Sequence, residues 1–234
     1  MRRFIDLYVK PPPETDGLRE MLELAAKLGF KGLGMVADKA LLDSARGMAP
    51  DQGLELVSRA DLRPKSPRDL TASLGRLRGR FEVIAVDCQS KAVARQAAKD
   101  NRVDILRFPS TVQERRKVGF DRQEASLAAG ASCCYEVNFS DLLGKGPRVA
   151  SGLILMIREE VGNARRFDVP LVVSSGAVDP LLMRDPRGLA STLSLFDIGE
   201  EGGLEAVSTN PWRLVETNRG KLGPGYVLPG VRVV

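Results

Sequence analysis

The chain has 234 residues, of which 43% are hydrophobic, so it is long enough for one substantial core and we expect a single domain spanning 1–234. No apolar run approaches the roughly 20 residues needed to cross a bilayer, and no signal-peptide core follows the N-terminus, so we expect a cytoplasmic protein without membrane contacts. The net charge of +5 is compatible with a polyanionic partner, whereas the absence of histidine removes the usual general base and the commonest neutral metal ligand.

Short apolar runs recur along the chain and are separated by stretches of helical character. They predict strands at 4–9, 32–36, 54–62, 83–86, 104–108, 133–137, 171–173 and 204–207. The intervening stretches predict helices at 18–28, 67–77, 91–101, 122–129, 149–167, 186–196 and 211–218. In the first helix, Leu18, Met21, Leu22, Ala25 and Leu28 form one apolar stripe, which can cover a strand.

Strands that alternate with helices indicate an α/β fold with the helices outside a parallel sheet. We therefore predict a closed TIM-type (β/α)₈ barrel. An open doubly wound parallel sheet is the alternative, because periodicity does not by itself show closure. Residues 220–234, GKLGPGYVLPGVRVV, are predicted to form an extended C-terminal tail packed on the barrel.

Basic residues follow several of the predicted strands: Lys39 after the second, Arg63 and Lys65 after the third, Lys91 after the fourth, and Arg107 at the end of the fifth. A barrel brings these strand ends to one face. For each side chain alone a solvent-exposed charge is the favoured interpretation, but together they would form a positive surface suited to a folded RNA backbone. For Arg107, which should project from the rim, the alternative is an ion pair with Asp87 or Glu136.

The most distinctive segment runs from 169 to 186, where an apolar strand leads into Ser174, Ser175 and Gly176 and then Arg184. In barrels, the loops after the last strands often bind phosphate, because small residues let backbone amides approach an anion. The two serines and Arg184 could position an RNA phosphate without reading sequence. The alternative is a tight turn in which a serine caps the next helix.

Motifs of the common catalytic classes are absent: the sequence has no GxxxxGK[ST], GxGxxG, GxSxG or HExxH. Cys88, Cys133 and Cys134 lack CxxC spacing, so buried free thiols are expected. We predict no catalytic residue, no metal ligand and no bound cofactor in this chain.

Five segments carry a resemblance to a known family: RFIDLYV at 3–9, LRF at 106–108, YEVNFSDLL at 135–143, VPLVVSSGA at 169–177 and STNPWRLVETN at 208–218. In their order and spacing they resemble the thirty-kilodalton protein subunit family of ribonucleases P and MRP, which includes archaeal ribonuclease P protein component 3. The resemblance covers nearly the whole chain. It implies a TIM barrel related to the polymerase and histidinol phosphatase hydrolases.

Those hydrolases begin with DLHxH, whose histidines bind metal, and the matching positions here are Tyr8 and Lys10. Near the final strand, Ser208–Pro211 replaces their Asp and His ligands. The resemblance thus implies a scaffold in an endoribonuclease that cleaves the 5′ leader of precursor tRNA, with catalysis by the RNA and its Mg²⁺ ions. Implied partners are ribonuclease P RNA, a small ferredoxin-like subunit in a possible two-plus-two heterotetramer, other ribonuclease P proteins and, indirectly, precursor tRNA.

Two other functions are kept as alternatives. The first is a free-standing barrel enzyme that acts on a phosphorylated metabolite, with Asp6, Asp87, Glu136 or Lys39 as acid or base. The second is a general RNA-binding barrel outside ribonuclease P, which only the charge supports.

Overall fold

The computed structural model describes residues 2–223, 226–228 and 231–232. Within 2–223, seven parallel strands follow one another around a single sheet in sequence order, β1 to β7. They are β1 Phe4–Val9, β2 Phe30–Met35, β3 Glu55–Leu62, β4 Val83–Asp87, β5 Ile105–Arg107, β6 Cys134–Asn138 and β7 Leu171–Ser174. Seven of the predicted strands are thereby confirmed.

The sheet nearly closes on itself, because β1 meets the segment that follows β7. Val9 and Ala177 form a parallel bridge, the Lys10 amide donates to the Ala177 carbonyl at 2.8 Å, and the Gly176 amide donates to the Tyr8 carbonyl at 3.0 Å. The TIM-type barrel is thus confirmed, and the open doubly wound sheet is not observed.

The predicted eighth strand at 204–207 is wrong, because Leu204 to Ala206 lie in a helix, Glu200–Ala206. Two acidic residues in its first turn suit the positive helix N-terminus. The segment still lies in the gap between β1 and β7: the Val207 carbonyl accepts from the Ile5 amide at 2.9 Å, and Asn210 Nδ2 donates to the Leu171 carbonyl at 2.9 Å. A helix end and one side chain therefore take the place of a hydrogen-bonded strand.

The helices cover the outside of the barrel. They are α1 Thr15–Lys27, α2 Lys39–Met48, α3 Pro67–Leu77, α4 Lys91–Ala98, α5 Val112–Val118, α6 Arg122–Ala131, α7 Pro147–Arg166, α8 Pro186–Thr192, α9 Glu200–Ala206 and α10 Thr209–Leu222. Every predicted helix has a counterpart, whereas α2, α5 and α9 were not predicted as helices. Both α2 and α5 begin at a side-chain cap, Asp38 and Thr111, which accepts from a backbone amide of the first turn.

The last long helix, α10, closes the amino-terminal end of the barrel. Trp212 and Val215 pack into the interior cluster formed by strand residues such as Ile5, Val83 and Val172. At the far end of α10, Asn218 Nδ2 donates to the Glu82 carbonyl and to Asp104 Oδ1, both at 2.8 Å. With one end closed, the barrel is left with a single open end, where the strands finish.

Beyond α10, two short strands, β8 Tyr226–Leu228 and β9 Val231–Arg232, pair antiparallel. The predicted packing of the 220–234 tail on the barrel falls largely outside the described residues and stays a prediction. The three cysteines are free and buried, as expected. Among the described helices, none combines the length and apolar character that spanning a bilayer requires.

The contact between β1 and β2 leads to the first prediction. A Cβ at Gly34 would lie 2.3 Å from the Leu7 carbonyl oxygen, so Gly34→Ala should force the two strands apart and destabilise the fold by roughly 1–3 kcal/mol. In Gly47→Ala the new Cβ meets nothing within 4 Å, so this helical variant should be neutral or up to about 1 kcal/mol more stable. Urea unfolding of both variants measures the difference, and equal stabilities would contradict the close packing.

Candidate functional site at the barrel mouth

A buried ion pair spans the barrel at its open end. The Arg59 guanidinium on β3 donates to both carboxylate oxygens of Glu136 on β6, at 2.7 and 2.6 Å. It also donates to the Leu7 carbonyl at 2.9 Å and to Asp61 Oδ1 at 2.7 Å. Both side chains of the pair are 0% exposed. The paired geometry suits a planar guanidinium, so this residue joins β1, β3 and β6.

Arg107, at the end of β5, joins the same network. It donates to Asp61, and its Nε lies 3.2 Å from Asp87 Oδ1 and 3.9 Å from Glu136 Oε2. The side chain is 12% exposed. Arg107 therefore does not project from the rim as expected; it forms the ion pairs that the alternative interpretation described.

The Tyr8 ring packs on two arginines at the open end of the barrel, the mouth. The guanidinium carbons of Arg59 and Arg107 lie 4.4 and 4.3 Å from its centroid, which is the geometry of a cation–π contact. The register of β1 shifts between Asp6 and Val9, where Tyr8 sits. At the position that the resemblance assigned to a metal-binding histidine, an aromatic ring therefore packs on two cations.

The charges of the network balance. It contains three guanidinium groups and three carboxylates: Arg59, Arg63, Arg107, Asp61, Asp87 and Glu136. Burial alone would raise the pKa of Asp61, but the guanidinium groups of Arg59 and Arg107 hold it below its usual range. Burial alone would lower the pKa of both arginines, but the surrounding carboxylates raise it. Arg59, Asp61 and Arg107 therefore stay ionised near neutral pH.

The two predicted serine contacts lie inside the protein. The Ser174 hydroxyl is 0% exposed and donates to Glu136 Oε1 at 2.8 Å. Ser175 Oγ accepts from the Ala177 amide at 3.1 Å, and Ser175 is 1% exposed. In this conformation neither hydroxyl can reach an RNA phosphate, because the first holds the ion pair and the second shapes the turn that closes the barrel.

The other basic residues that were predicted to bind RNA differ in how many hydrogen bonds and ion pairs they form within the protein. Lys39 is exposed and pairs with Asp43 at 2.8 Å, Lys65 is exposed, and Arg63 is 68% exposed although its Nε lies 2.6 Å from Asp87. Lys91 donates to the Gly119 carbonyl and to Asp121 and Glu124. Arg184 donates to the carbonyls of Leu181 and Met183 and lies 5.2 Å from the Phe139 ring. Lys39, Arg63 and Lys65 thus remain the most accessible.

Sequence reasoning missed the roles of Tyr8, Arg59 and Asp61. The signal was a period of two in β3, since Val57, Arg59 and Asp61 share the inner face of that strand. A charged residue that faces the barrel interior near the end of a strand indicates a buried ion-pair network at the open end of the barrel rather than a surface charge.

The residues that could act as acid or base in the alternative function, a free-standing enzyme, also form ion pairs within the protein. Glu136 binds Arg59, Asp87 binds Arg63 and Arg107, and Lys39 is exposed on α2, where it pairs with Asp43. In the described part of the chain, no group of three or more Asp, Glu or Cys side chains is placed to hold a metal ion. Fold and site together define a (β/α) barrel whose mouth is filled by its own neutralised ion pairs.

A family model described as RNase P subunit p30 matches residues 3–222. Ribonuclease P protein component 3 of Methanosarcina mazei is 28% identical over 233 residues, which is 99% of this chain and 95% of the relative. The protein of the same name from Methanothermobacter thermautotrophicus is 26% identical and covers 92% of this chain and 90% of its own length. The chain belongs to the RNase P subunit p30 family, the protein subunits of ribonuclease P, and the resemblance seen in the sequence is confirmed.

Two solved structures share the fold. A chain in the cryo-EM structure of archaeal ribonuclease P with mature tRNA has a TM-score of 0.85 and 21% identity, over 98% of this chain and 97% of that chain. The A. niger ochratoxinase crystal structure has a TM-score of 0.63 and 8% identity, over 92% of this chain and 71% of that chain.

The burial of Arg107 leads to a stability prediction. Arg107→Ala should destabilise the protein by ~3 kcal/mol, because the three buried carboxylates near it then keep only Arg59 and the exposed Arg63 as ion-pair partners. Thermal and urea unfolding measure the change. Arg63→Ala is the matched control, since Arg63 pairs with the same Asp87 but is 68% exposed, so its loss should cost under about 1 kcal/mol. Equal costs for the two variants would contradict the buried network.

Asp6 lies beside the contact between β1 and the segment after β7, which closes the barrel; this contact is called the seam. Its Oδ1 accepts from the amides of Tyr8 at 3.2 Å and Ser175 at 3.1 Å, whereas Oδ2 has no hydrogen-bond partner within the described residues. Burial raises the pKa of Asp6 from its ordinary 3.8 to about 6, and hydrogen bonds from Ser175 and Tyr8 offset this only in part. The ionised carboxylate therefore weakens the fold at neutral pH.

This pKa predicts the pH dependence of stability. Because the folded pKa of Asp6 exceeds the unfolded value, its proton-linked stabilisation is complete below about pH 4 and is lost as the pH rises through about 6. Relative to Asp6→Asn, the wild type should gain ~2 kcal/mol between pH 7 and pH 4. Denaturant unfolding of both proteins across this range tests it, and a pH-independent difference would show that Asp6 titrates normally.

Proposed function

We propose that this ribonuclease P subunit is a non-catalytic, RNA-binding scaffold, which stabilises the catalytic RNA of the ribonucleoprotein that removes the 5′ leader from precursor tRNA. The observation that supports this proposal is that side chains of the protein itself fill the open end of the barrel. Where a barrel hydrolase would bind its substrate, this chain packs Tyr8 over Arg59 and Arg107 and pairs both arginines with buried carboxylates. Chemistry at the scissile phosphate is then the task of the RNA and its Mg²⁺ ions, and this chain holds no metal or cofactor of its own.

The proposed partners are ribonuclease P RNA, a small ferredoxin-like protein subunit in a possible two-plus-two heterotetramer, and the other ribonuclease P proteins. Precursor tRNA is contacted indirectly, and the cytoplasm is the proposed location. Support comes from the fold shared with a chain in an archaeal ribonuclease P that was solved with mature tRNA.

The proposed RNA contacts are phosphate contacts by cations at the carboxyl end of the barrel. Lys39, Arg63 and Lys65 are exposed there, and Lys91 and Arg184 are partly exposed. Contacts of this kind position a protein on RNA without reading its sequence, and they release counterions, so binding should weaken steeply with salt.

Reconstitution with ribonuclease P RNA and partner proteins tests the function. Adding this chain should increase cleavage of precursor tRNA most strongly at limiting Mg²⁺, because protein cations then replace ions that screen the RNA. The chain alone should cleave nothing. Cleavage by the chain without RNA, or no effect of the chain at any Mg²⁺ concentration, would contradict the scaffold role.

A further inference from the structure

The charges on the outer surface of the molecule are unevenly distributed. We call residues 63–102, which include α3 and α4, the α3–α4 flank. Its exposed charged side chains are all basic: Arg63, Lys65, Arg68, Arg76, Arg80, Arg95 and Lys99. Its acidic residues, Asp69, Glu82, Asp87 and Asp100, are all buried or half-buried.

The carboxylates of the flank are used within the protein. Asp87 binds Arg63 and Arg107, and Glu82 binds Arg219 at 2.6 Å. Asp100 binds Arg102 at 2.7 Å, and Asp69 accepts from the Lys65 backbone amide at 2.9 Å. The negative charge of the flank is therefore held inward, whereas much of its positive charge points outward.

The outward cations lie in two rows. On α3, Leu70 and Leu74 are buried, so Arg68 and Arg76 lie on the opposite, solvent-facing side and are ~12 Å apart along the helix axis. Arg80 follows just beyond the helix end and is exposed.

The second row lies on α4, which packs beside α3. Val93 and Ala97 face inward, so Arg95 and Lys99 face outward, ~6 Å apart along the axis. Arg95 lies 3.4 Å from the buried carboxylate of Glu124, which Lys91 also holds at 2.9 Å. Neighbouring helix axes are about 8–10 Å apart, so the two rows form one continuous basic surface.

The flank has the chemistry of a phosphate-binding surface rather than of a protein interface. Protein interfaces are built around an apolar centre, whereas a nucleic-acid backbone requires only cations. The large exposed apolar side chains of the described residues lie elsewhere: Val149, Leu155, Val178, Leu181, Leu195 and Leu222. The aromatic residue of the flank, Phe81, is half-buried and therefore a poor platform for stacking on unpaired bases.

We propose that the α3–α4 flank binds the phosphate backbone of structured RNA, without sequence preference and apart from the filled barrel mouth. This inference rests on the proposed function and adds the surface that carries it. Arg63 and Lys65 connect the flank to the cations at the carboxyl end of the barrel, so the RNA contact extends from the rim down the outer wall.

The test compares two variants that each lose four exposed cations. The flank variant is Arg68→Ala, Arg76→Ala, Arg80→Ala and Lys99→Ala, and the control is Arg19→Ala, Lys27→Ala, Arg166→Ala and Arg213→Ala; all eight residues are exposed. Thermal unfolding first checks that both variants are folded. The probes are ribonuclease P RNA and an unrelated 20-bp RNA duplex, whose dissociation constants are measured across a range of KCl concentrations.

At physiological salt, the flank variant should bind both RNAs at least ~10-fold more weakly than wild type, while the control should stay within ~3-fold. The slope of log affinity against log salt should fall by up to ~3 in the flank variant, since each lost phosphate contact lowers it by slightly under one. Equal effects of the two variants would overturn the proposal. So would a flank variant that keeps its RNA affinity but loses a protein subunit from the reconstituted particle.

The outcome also separates this inference from the proposed function. If the wild type binds ribonuclease P RNA and supports cleavage while the flank variant is unaffected, only the flank assignment fails. If the wild type neither binds the RNA nor affects cleavage, the scaffold function fails with it.

Discussion

The Arg59–Glu136 pair is the interaction on which the open end of the barrel depends. Removing two charges from water costs several kcal/mol per ion and is repaid only if the geometry and the hydrogen bonds are good. Here the guanidinium reaches both Glu136 oxygens, Asp61 and the Leu7 carbonyl, and Ser174 donates to Glu136 as well. Four strands are thereby tied together where a hydrolase barrel needs an accessible cavity.

A second constraint is that, in the described part of the chain, no eighth strand pairs between β1 and β7. Between β1 and β7 the backbone lacks a complete ladder, and single groups make the hydrogen bonds instead: Asp6 at the seam, and Val207 and Asn210 nearer the closed end. Buried backbone groups must be paired, so the fold tolerates the gap only because these groups fill it. The raised pKa of Asp6 is a consequence, since its carboxylate is used as a hydrogen-bond partner of the backbone in a fully buried site.

Local periodicity was enough to predict most of the fold. The stripe of Leu18, Met21, Leu22 and Ala25 is buried as expected, and the seven apolar runs became strands. The prediction of a strand at 204–207 was wrong, because an apolar run of four residues is too short to distinguish a strand from the end of a helix. Asp87 and Glu136 were named as alternative partners of Arg107, but Asp61 was not, because it is 46 residues away in sequence and only closure of the barrel brings the two together. Sequence spacing therefore located the ends of the seven strands correctly, but it did not show which basic side chains at those ends form ion pairs and which remain exposed.

Burial and ion pairing decide what each cation can do. Opposite charges within a few ångströms cancel at a distance, and at physiological ionic strength an uncompensated charge acts over only about 8 Å of solvent. The mouth, with its guanidinium groups matched by carboxylates, thus presents little net field to an RNA. The α3–α4 flank presents a net positive field, because its carboxylates are turned inward, although Arg63 and Arg95 each pair with a buried carboxylate. The same residue type therefore serves two purposes: Arg59 and Arg107 hold the barrel, and exposed arginines such as Arg68 and Arg76 are left free to meet phosphate.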